Sequence, residues 1–345
     1  MSENGKGSKT PKKGIHKGLK VFLGLVGALF LALLLFVGVL LLIPAFERRA
    51  DAAGEHAGAD WMAALQDDRK LSEIRIPGAH DCATEFVQLA FVARCQQNSI
   101  GELLEDGFRY LDIRLAAEGG SDGTKRLRFM HGPTKCKTGF WPWESTLFLE
   151  DVLADCYAFL EAHPGETILF VVKKESGSES VREFQEILDR YVSGKKDKWY
   201  LSDGEIPTLG EARGKIVLFR RYEDEAGLGA EAGLPILWTD QGNKDRTELN
   251  YAYEDNSFYK LAVKDRYKYG NEDKWAAFTA KPAEASDVQV SFLSTAGSWI
   301  IGHPFGHAKE LDAKLLALPA EDLPEGWIII DFGTAETAQH IYQAN

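Results

Sequence analysis

Short β-prone apolar runs recur along residues 60–345 with capped amphipathic stretches between them, and this alternation limits the fold more than any single motif. The runs cover residues 74–76, 110–115, 127–130, 167–173, 215–220, 259–264, 288–293 and 327–331. Ser99 precedes an amphipathic stretch at 100–105 that stops at Gly107, and Thr146 precedes 147–162, which stops at His163-Pro164-Gly165. Ser178 or Ser180 precedes 181–192, which stops at Gly194, and Asp60 is placed to cap a helix over 61–65. A side-chain oxygen at the N-cap satisfies an orphan backbone N–H, and Gly or Pro ends a helix. Strands with helices between them need crossover connections and lie parallel. Eight such runs predict an α/β fold, a TIM-like (β/α) barrel in preference to an open doubly wound sheet. Residues 222–258 hold one brief apolar stretch, 234–238, so the barrel is expected to be irregular or incomplete in its second half. Residues 60–345 are the barrel domain in this reading, a length that suits a single barrel.

Upstream, residues 21–46 carry no charge and are mostly Leu, Val, Phe, Gly and Ala. At about 1.5 Å per residue, a helix of this length exceeds the roughly 30 Å hydrocarbon core of a bilayer. The run is longer than the apolar region of a signal peptide, Leu42-Ile43-Pro44-Ala45-Phe46 is a poor cleavage site, and no turn shows a polar face. An uncleaved transmembrane signal anchor is expected over 21–46. The preceding tail, 1–20, has six lysines (Lys6, Lys9, Lys12, Lys13, Lys17 and Lys20) against Glu3, a net charge of +5. Positive-inside logic keeps this tail cytoplasmic and predicts a single-pass protein of the cell membrane with its barrel extracytoplasmic; Arg48 and Arg49 weaken the asymmetry without reversing it. Removing that +5 from the formal −12 of the whole chain leaves −17 on the exported part. Such a charge is repelled by an anionic bilayer at long range and gives no reason to expect a nucleic-acid partner. Residues 47–59, rich in Ala, Gly and charge, read as a linker.

Four cysteines, Cys82, Cys95, Cys136 and Cys156, fall in the exported part. An even count in an oxidising compartment permits two disulfides, with Cys82–Cys95 and Cys136–Cys156 the simplest of three pairings and buried free thiols the alternative. No Cys or His spacing matches a zinc site, so no metal and no cofactor are expected.

Barrel active sites gather at the carboxyl ends of the strands. There this sequence places His80 and Asp81, Asp112 and Arg114, His131, Lys173 with Lys174 and Glu175, Arg220 and Arg221, Asp265, and Asp331, so seven of eight runs deliver charge or imidazole to one rim. Two imidazoles serve as base and acid in one reaction, and an Asp beside an Arg holds a phosphate. That inventory fits cleavage of a phosphodiester without a metal. Each residue also has a plainer reading: His80 as a turn cap after Pro77-Gly78, His131-Gly132-Pro133 as a polar turn, Asp112 and Arg114 as a structural ion pair on one strand face, Lys173 to Glu175 as a solvated loop. His303 and His307 stand i,i+4, but Pro304 and Gly306 between them lead us to expect loop histidines, not a helical metal pair.

Ile76-Pro-Gly-Ala-His-Asp81, Ser99-Ile-Gly-Glu-Leu-Leu-Glu-Asp-Gly-Phe-Arg-Tyr-Leu-Asp-Ile-Arg114, Met130-His-Gly132, Val172-Lys-Lys-Glu175, Lys264-Asp-Arg-Tyr267 and Gly326-Trp-Ile-Ile-Ile-Asp-Phe332 follow one another in order. With them, the stretch from Trp61 to the C-terminus resembles the catalytic X domain of phosphatidylinositol-specific phospholipase C in its bacterial, metal-independent form. The resemblance implies cleavage of membrane phosphatidylinositol to diacylglycerol and inositol 1,2-cyclic phosphate. It implies His80 as general base on the inositol 2-hydroxyl, with Asp331 orienting it, and Arg114, steadied by Asp81, on the phosphate oxygens. His131, paired with Asp112, would protonate the leaving oxygen. Lys173, Glu175, Arg221 and Asp265 would contact inositol hydroxyls or the phosphate region, and Tyr267 would stack on the ring. Animal-type relatives hold calcium with acidic side chains here; the cation of Arg114 argues against it. Cys82 departs from the more usual Ser. The alternatives are the same fold acting on glycosylated phosphatidylinositol or another phosphodiester head group, a lipid- or glycan-binding barrel without turnover, and a glycerophosphodiester phosphodiesterase. That last family carries His-Arg-Gly where this chain has His80-Asp81-Cys82, and fits poorly.

Overall fold

The computed structural model describes residues 17–50, 58–120, 123–141, 143–242, 251–298 and 302–345. Most of the basic tail, 1–16, and residues 51–57 of the expected linker lie outside the described residues. The chain divides into two units, Met1–Ile43 and Pro44–Asn345. Helix α1 (Lys17–Phe46) contains a span, Lys17–Gly38, long and apolar enough to cross a membrane by length and composition.

The second unit is α/β. Its strands are β1 (Ile76–Ala79), β2 (Tyr110–Gly119), β3 (Lys125–His131), β4 (Thr134–Lys135), β5 (Ile168–Lys174), β6 (Trp199–Tyr200), β7 (Ile216–Arg220), β8 (Leu234–Pro235), β9 (Ala252–Asn256), β10 (Tyr259–Lys264), β11 (Val288–Phe292) and β12 (Trp327–Ile330). Helices α2 (Ala90–Ala93), α3 (Ile100–Glu105), α4 (Leu149–Ala162), α5 (Val181–Ser193), α6 (Leu209–Ala212), α7 (Asn271–Thr279), α8 (Pro304–Ala317) and α9 (Ala335–Tyr342) lie between and after them. The sheet runs β6-β7-β5-β2-β1-β12-β11-β10-β9, and β8 pairs with β7. Pairing is parallel from β8 round to β10; β9 joins β10 antiparallel.

Period-two alternation sorts the strand side chains into two cores. Ile76, Tyr110, Val171, Phe219, Val263 and Ile329 cluster on one face. Their chain neighbours Leu111, Val172, Leu218 and Ile330 pack on the other, with Leu153 of α4 and Phe184 of α5. Trp327 fills the first core between Tyr110 and Phe219, with ring centroids 5.7 and 5.3 Å away, and its indole N–H donates to Leu71 O at 3.0 Å. Truncating so large a buried side chain costs about 3–5 kcal/mol. Gly78 is required where β1 is squeezed by its neighbours: a Cβ there would meet Ile329 Cγ1 at 2.8 Å and Tyr110 Cβ at 3.0 Å.

No backbone ladder among the described residues closes the sheet. Its two ends are joined by side chains instead: buried Asn256 accepts from Leu237 N at 2.7 Å and donates to Leu237 O at 3.1 Å, and Glu254 accepts from Thr239 N at 3.0 Å. Here the expected eight-strand barrel is corrected. The run 127–130 belongs to β3, the antiparallel partner of β2, and not to a parallel barrel strand. The sheet position left open falls to two-residue β8, inside the apolar stretch 234–238. Ser99 and Ser180 cap α3 and α5 through Glu102 N and Glu183 N. Thr146 does not cap α4, whose N-cap is Phe148, and Asp60 leads into a single 3-10 turn, Met62–Ala64. His303 and His307 belong to a helix after all, as N-cap and member of α8, because Pro304 sits at the first turn, where its missing N–H costs nothing.

Candidate active site

The row of side chains that forms the first core continues past the strand ends as polar groups. Tyr110 gives way to Asp112 and Arg114, Val171 to Lys173 and Glu175, Phe219 to Arg221, Val263 to Asp265 and Tyr267, Ile329 to Asp331, and Gly78 to His80, each two residues further along. They surround a cavity of about 520 Å³, lined by His80, Arg114, His131, Lys173, Glu175, Arg221, Asp265, Tyr267 and Asp331. Asp81 and Asp112, buried to 2% and 0% exposure, support residues of its wall.

His80 is held at both ring nitrogens. Nδ1 lies 2.7 Å from Asp331 Oδ1, and Arg114 Nη2 donates to Nε2 at 2.7 Å. A guanidinium can only donate, so Nε2 presents its lone pair and His80 is the neutral tautomer with its proton on Nδ1. Burial, and after it the charge of Arg114, disfavour the imidazolium, but the charge and hydrogen bond of Asp331 together with Asp112 prevail and raise the pKa of His80 above the ordinary value of 6.5. His80 N–H donates to Ile330 O, and buried Gln96 bonds His80 O, Ile330 O and Gly333 N at 2.9, 2.9 and 3.1 Å, tying the loops after β1 and β12 together. Asp81 and Phe332, immediately after His80 and Asp331, both have left-handed backbone, with φ of 43° and 48°. Strained backbone of this kind is held where the surroundings enforce it, commonly at active sites.

Of the two other aspartates, Asp112 pairs with Arg114 and not with the expected His131, while Asp81 keeps its expected contact with Arg114 and also reaches His131. Asp112, on the same strand face as Arg114, accepts from its Nη2 at 2.9 Å and its Nε at 3.1 Å, and lies 3.5 Å from Arg221 Nη1. Burial works against this carboxylate, yet Arg114 and Arg221 prevail and hold it well below the usual range. Asp81, turned by its positive φ, approaches His131 Nδ1 at 3.2 Å and Arg114 Nη1 at 3.4 Å. Among the described residues its Oδ2 has no hydrogen-bond partner, and burial raises its pKa despite the charge of Arg114 beside it. His131 Nδ1 donates to Ala93 O at 2.6 Å, leaving Nε2 to exchange a proton with a substrate.

Around the wall, Lys173 pairs with Glu175 at 2.9 Å, and Gly132 N–H donates to Glu175 Oε1 at 3.2 Å. Arg221 lies over Trp238 at 3.6 Å, and the Tyr267 hydroxyl donates to Asp240 at 2.8 Å. Burial, and then that bond, push the Tyr267 hydroxyl up to about 12, so it is a neutral donor at physiological pH. Trp238, Asp240 and Gln96 were not singled out by the sequence. The first two lie in the region without periodic pattern, and Gln96 acts through backbone that strand patterns do not reveal.

The cysteines are four buried free thiols, so neither expected disulfide forms. Cys82 Sγ donates to Asp112 O at 3.3 Å, while Cys95 Sγ faces Ala93 O and lies 3.8 Å from His131 Nδ1, which points the two thiols at different partners. Cys95 could join His80 and Asp331, or Asp81 and His131, as metal ligands within 4.8 Å of one another. The donors do not suit a resident cation: the imidazole Nδ1 atoms are already hydrogen-bonded, Arg114 supplies positive charge beside them, and burial pushes the Cys95 thiol well above 9.

Residues 77–222 match the family described as phosphatidylinositol-specific phospholipase C, X domain. The 1-phosphatidylinositol phosphodiesterase of Listeria monocytogenes (serovar 1/2a) is 31% identical over 307 residues, 83% of this chain and 84% of that protein. That of Staphylococcus aureus (strain Newman) is 28% identical over 293 residues, 79% of this chain and 88% of the relative. A solved structure of the S. aureus phosphatidylinositol-specific phospholipase C superposes with a TM-score of 0.67 at 25% identity, over 84% of this chain and 98% of that one. Likeness of this extent, over most of both chains and in one fold, places the protein by descent: the chain belongs to the phosphatidylinositol-specific phospholipase C X-domain family.

Proposed function

We propose that the protein is a phosphatidylinositol phosphodiesterase that releases diacylglycerol and inositol 1,2-cyclic phosphate by paired imidazole catalysis. The observation that carries this reading is His80, clamped between Asp331 and Arg114 with its Nε2 lone pair facing the cavity that His131 also lines. Arg114 itself donates to that lone pair. A phosphodiester in the cavity attracts the guanidinium to its non-bridging oxygens, and Nε2 is left to take the proton of the inositol 2-hydroxyl. The hydroxyl then attacks the adjacent phosphorus within one molecule, an arrangement that lowers the barrier by proximity. Asp331 compensates the imidazolium formed on His80, Asp112 fixes Arg114 against developing phosphate charge, and His131 Nε2–H delivers a proton to the diacylglycerol oxygen. Lys173, Glu175, Arg221, Asp265 and Tyr267 offer polar groups to inositol hydroxyls, and a wrong head group would leave them unpaired. A binding barrel without turnover has no need of two imidazoles supported in this way.

The sheet is read as a TIM-like barrel with its seam at β8 and β9, and α1 as a single-pass anchor with the basic tail cytoplasmic and the catalytic unit outside. Full-length protein in phosphatidylinositol vesicles with excess EDTA, followed by phosphorus NMR, tests the catalytic reading. Cyclic phosphate should form, and His80→Ala or His131→Ala should each suppress it. Absence of turnover with the unaltered protein, before and after calcium is restored, would refute it.

A further inference from the structure

Besides the α1 side chains from Leu19 to Val37, the large exposed hydrophobic side chains among the described residues are Phe46, Leu89, Val92, Trp141, Trp143 and Phe258. Trp141 and Trp143 are 53% and 75% exposed and stack on each other with centroids 5.1 Å apart. Phe140 adjoins Trp141 at 5.2 Å, and Phe46, the last residue of α1, lies 4.8 Å from Phe140. These rings sit at a tip held by backbone bonds: Thr138 N donates to Ser145 O, Leu147 N to Cys136 O, and Lys137 N to Phe86 O. The same arm bonds Gln88 N through Lys135 O, next to exposed Leu89 and to Val92, which lines the catalytic cavity. All these exposed residues except Phe258 therefore lie on one connected structure running from the end of α1 to the cavity mouth.

The residues after Phe46 are not a free spacer. Arg94 donates to Glu47 O at 2.9 Å, His303 Nε2 lies 3.2 Å from Glu47 Oε2, and Arg48 lies 3.7 Å from Glu85. Arg49 N–H donates to Gln97 at 2.6 Å, and its guanidinium pairs with buried Asp312 and donates to Phe332 O, beside Asp331. This corrects the start of the expected linker, since Glu47, Arg48 and Arg49 are clamped to the catalytic unit. A chain reaches only about 3.3–3.6 Å per residue, so the aromatic tip is tied within a few residues of the apolar run. Trp favours the membrane–water interface, where an apolar ring meets a polar edge.

We infer that Phe46, Phe140, Trp141 and Trp143 seat the catalytic unit on the bilayer that α1 spans, and that the enzyme cleaves lipid of its own membrane. This rests on the anchor and phospholipase readings above. The test uses the full chain reconstituted in vesicles of phosphatidylcholine, brominated or not on its acyl chains. α1 contains no tryptophan, so quenching reports only residues outside it. Brominated lipid should quench the fluorescence of the unaltered protein, and most of that quenching should vanish in the Trp141→Phe/Trp143→Phe double variant. Equal absolute loss in both proteins, or crosslinking of the tip to a second copy instead of quenching, would overturn the inference. With phosphatidylinositol in the same vesicles, turnover should exceed that on separate vesicles at least tenfold, and Trp141→Glu/Trp143→Glu should remove most of the advantage while leaving turnover of a soluble short-chain inositol phosphodiester unchanged. Equal turnover in both vesicle arrangements would contradict action on its own membrane. A protein quenched as expected but inactive on the soluble substrate would retain the seating and lose the phospholipase reading.

Discussion

The two cavity histidines are held in opposite ways. His80 stands at the end of a central parallel strand, gripped by Asp331 at one ring nitrogen and Arg114 at the other, whereas His131 ends one arm of a hairpin and is fixed by the carbonyl of Ala93, with Asp81 at 3.2 Å and Cys95 at 3.8 Å from the same nitrogen. A base must present a lone pair at a fixed angle and then tolerate a charge, which suits a carboxylate behind it and a rigid strand beneath it. An acid must begin with a proton on the nitrogen facing the leaving group; with Nδ1 already donating to Ala93 O, that proton is present only in the doubly protonated imidazolium, whose charge the nearby Asp81 carboxylate would balance. In the proposed mechanism, strong electrostatic support accompanies the base and lighter support the acid.

Replacing each carboxylate tests this contrast. Asp331→Asn should have the largest effect, lowering turnover by roughly 10²–10⁴ because the amide neither holds the Nδ1–H tautomer nor balances the imidazolium. The pH–rate profile sharpens this. Because Asp331 raises His80, the ascending limb of activity should lie above pH 6.5, and Asp331→Asn should move it towards acid. The linked stability has a defined sign. A folded pKa above the unfolded one gives stability that is fully present below the unfolded value and is lost as pH rises through the folded value, so the stability difference between the unaltered protein and Asp331→Asn should shrink in denaturation curves taken from pH 6 upwards. Asp81→Asn should cost less, about 10–100-fold in turnover, since Ala93 O still holds His131. A loss as large as that of Asp331→Asn would erase the asymmetry. Smallest of all, Cys95→Ser should alter turnover by no more than about threefold, because a buried neutral thiol behaves as a small apolar group. Steady-state kinetics on the purified variant measures this directly.

Much of the site was legible because strand periodicity carries it. Once 110–115 reads as a strand, Asp112 and Arg114 must share a face, and the same step of two brings Lys173 and Glu175, Arg221, Asp265 and Asp331 to the same cavity. The partners of Asp81 and Asp112 were not legible. The expected partners came from the family resemblance, and strand spacing does not reveal the positive φ at Asp81, whose carboxylate approaches both Arg114 and His131. The run at 127–130 was misplaced because an apolar stretch does not reveal its neighbour. The glycines at 119, 120 and 123 mark a link too short for a parallel crossover and should have indicated a hairpin. The contacts between the two ends of the sheet were hidden for a different reason: Asn256 and Glu254 make them with side chains, for which no periodic pattern exists. Cysteine order likewise says nothing about where thiols point, and so it left disulfides and buried free thiols as open alternatives.

The central claim is the division of labour between the histidines, and a change of leaving group tests it most directly. Turnover of phosphatidylinositol would be compared with that of an inositol phosphodiester bearing a nitrophenolate leaving group, which departs without a proton, in the unaltered protein, His80→Ala and His131→Ala. The account predicts that His131→Ala loses at least about 10²-fold on the lipid but recovers most of its rate on the aryl ester, while His80→Ala stays impaired on both. Recovery in His80→Ala instead, or equal loss for both variants on both substrates, would contradict it.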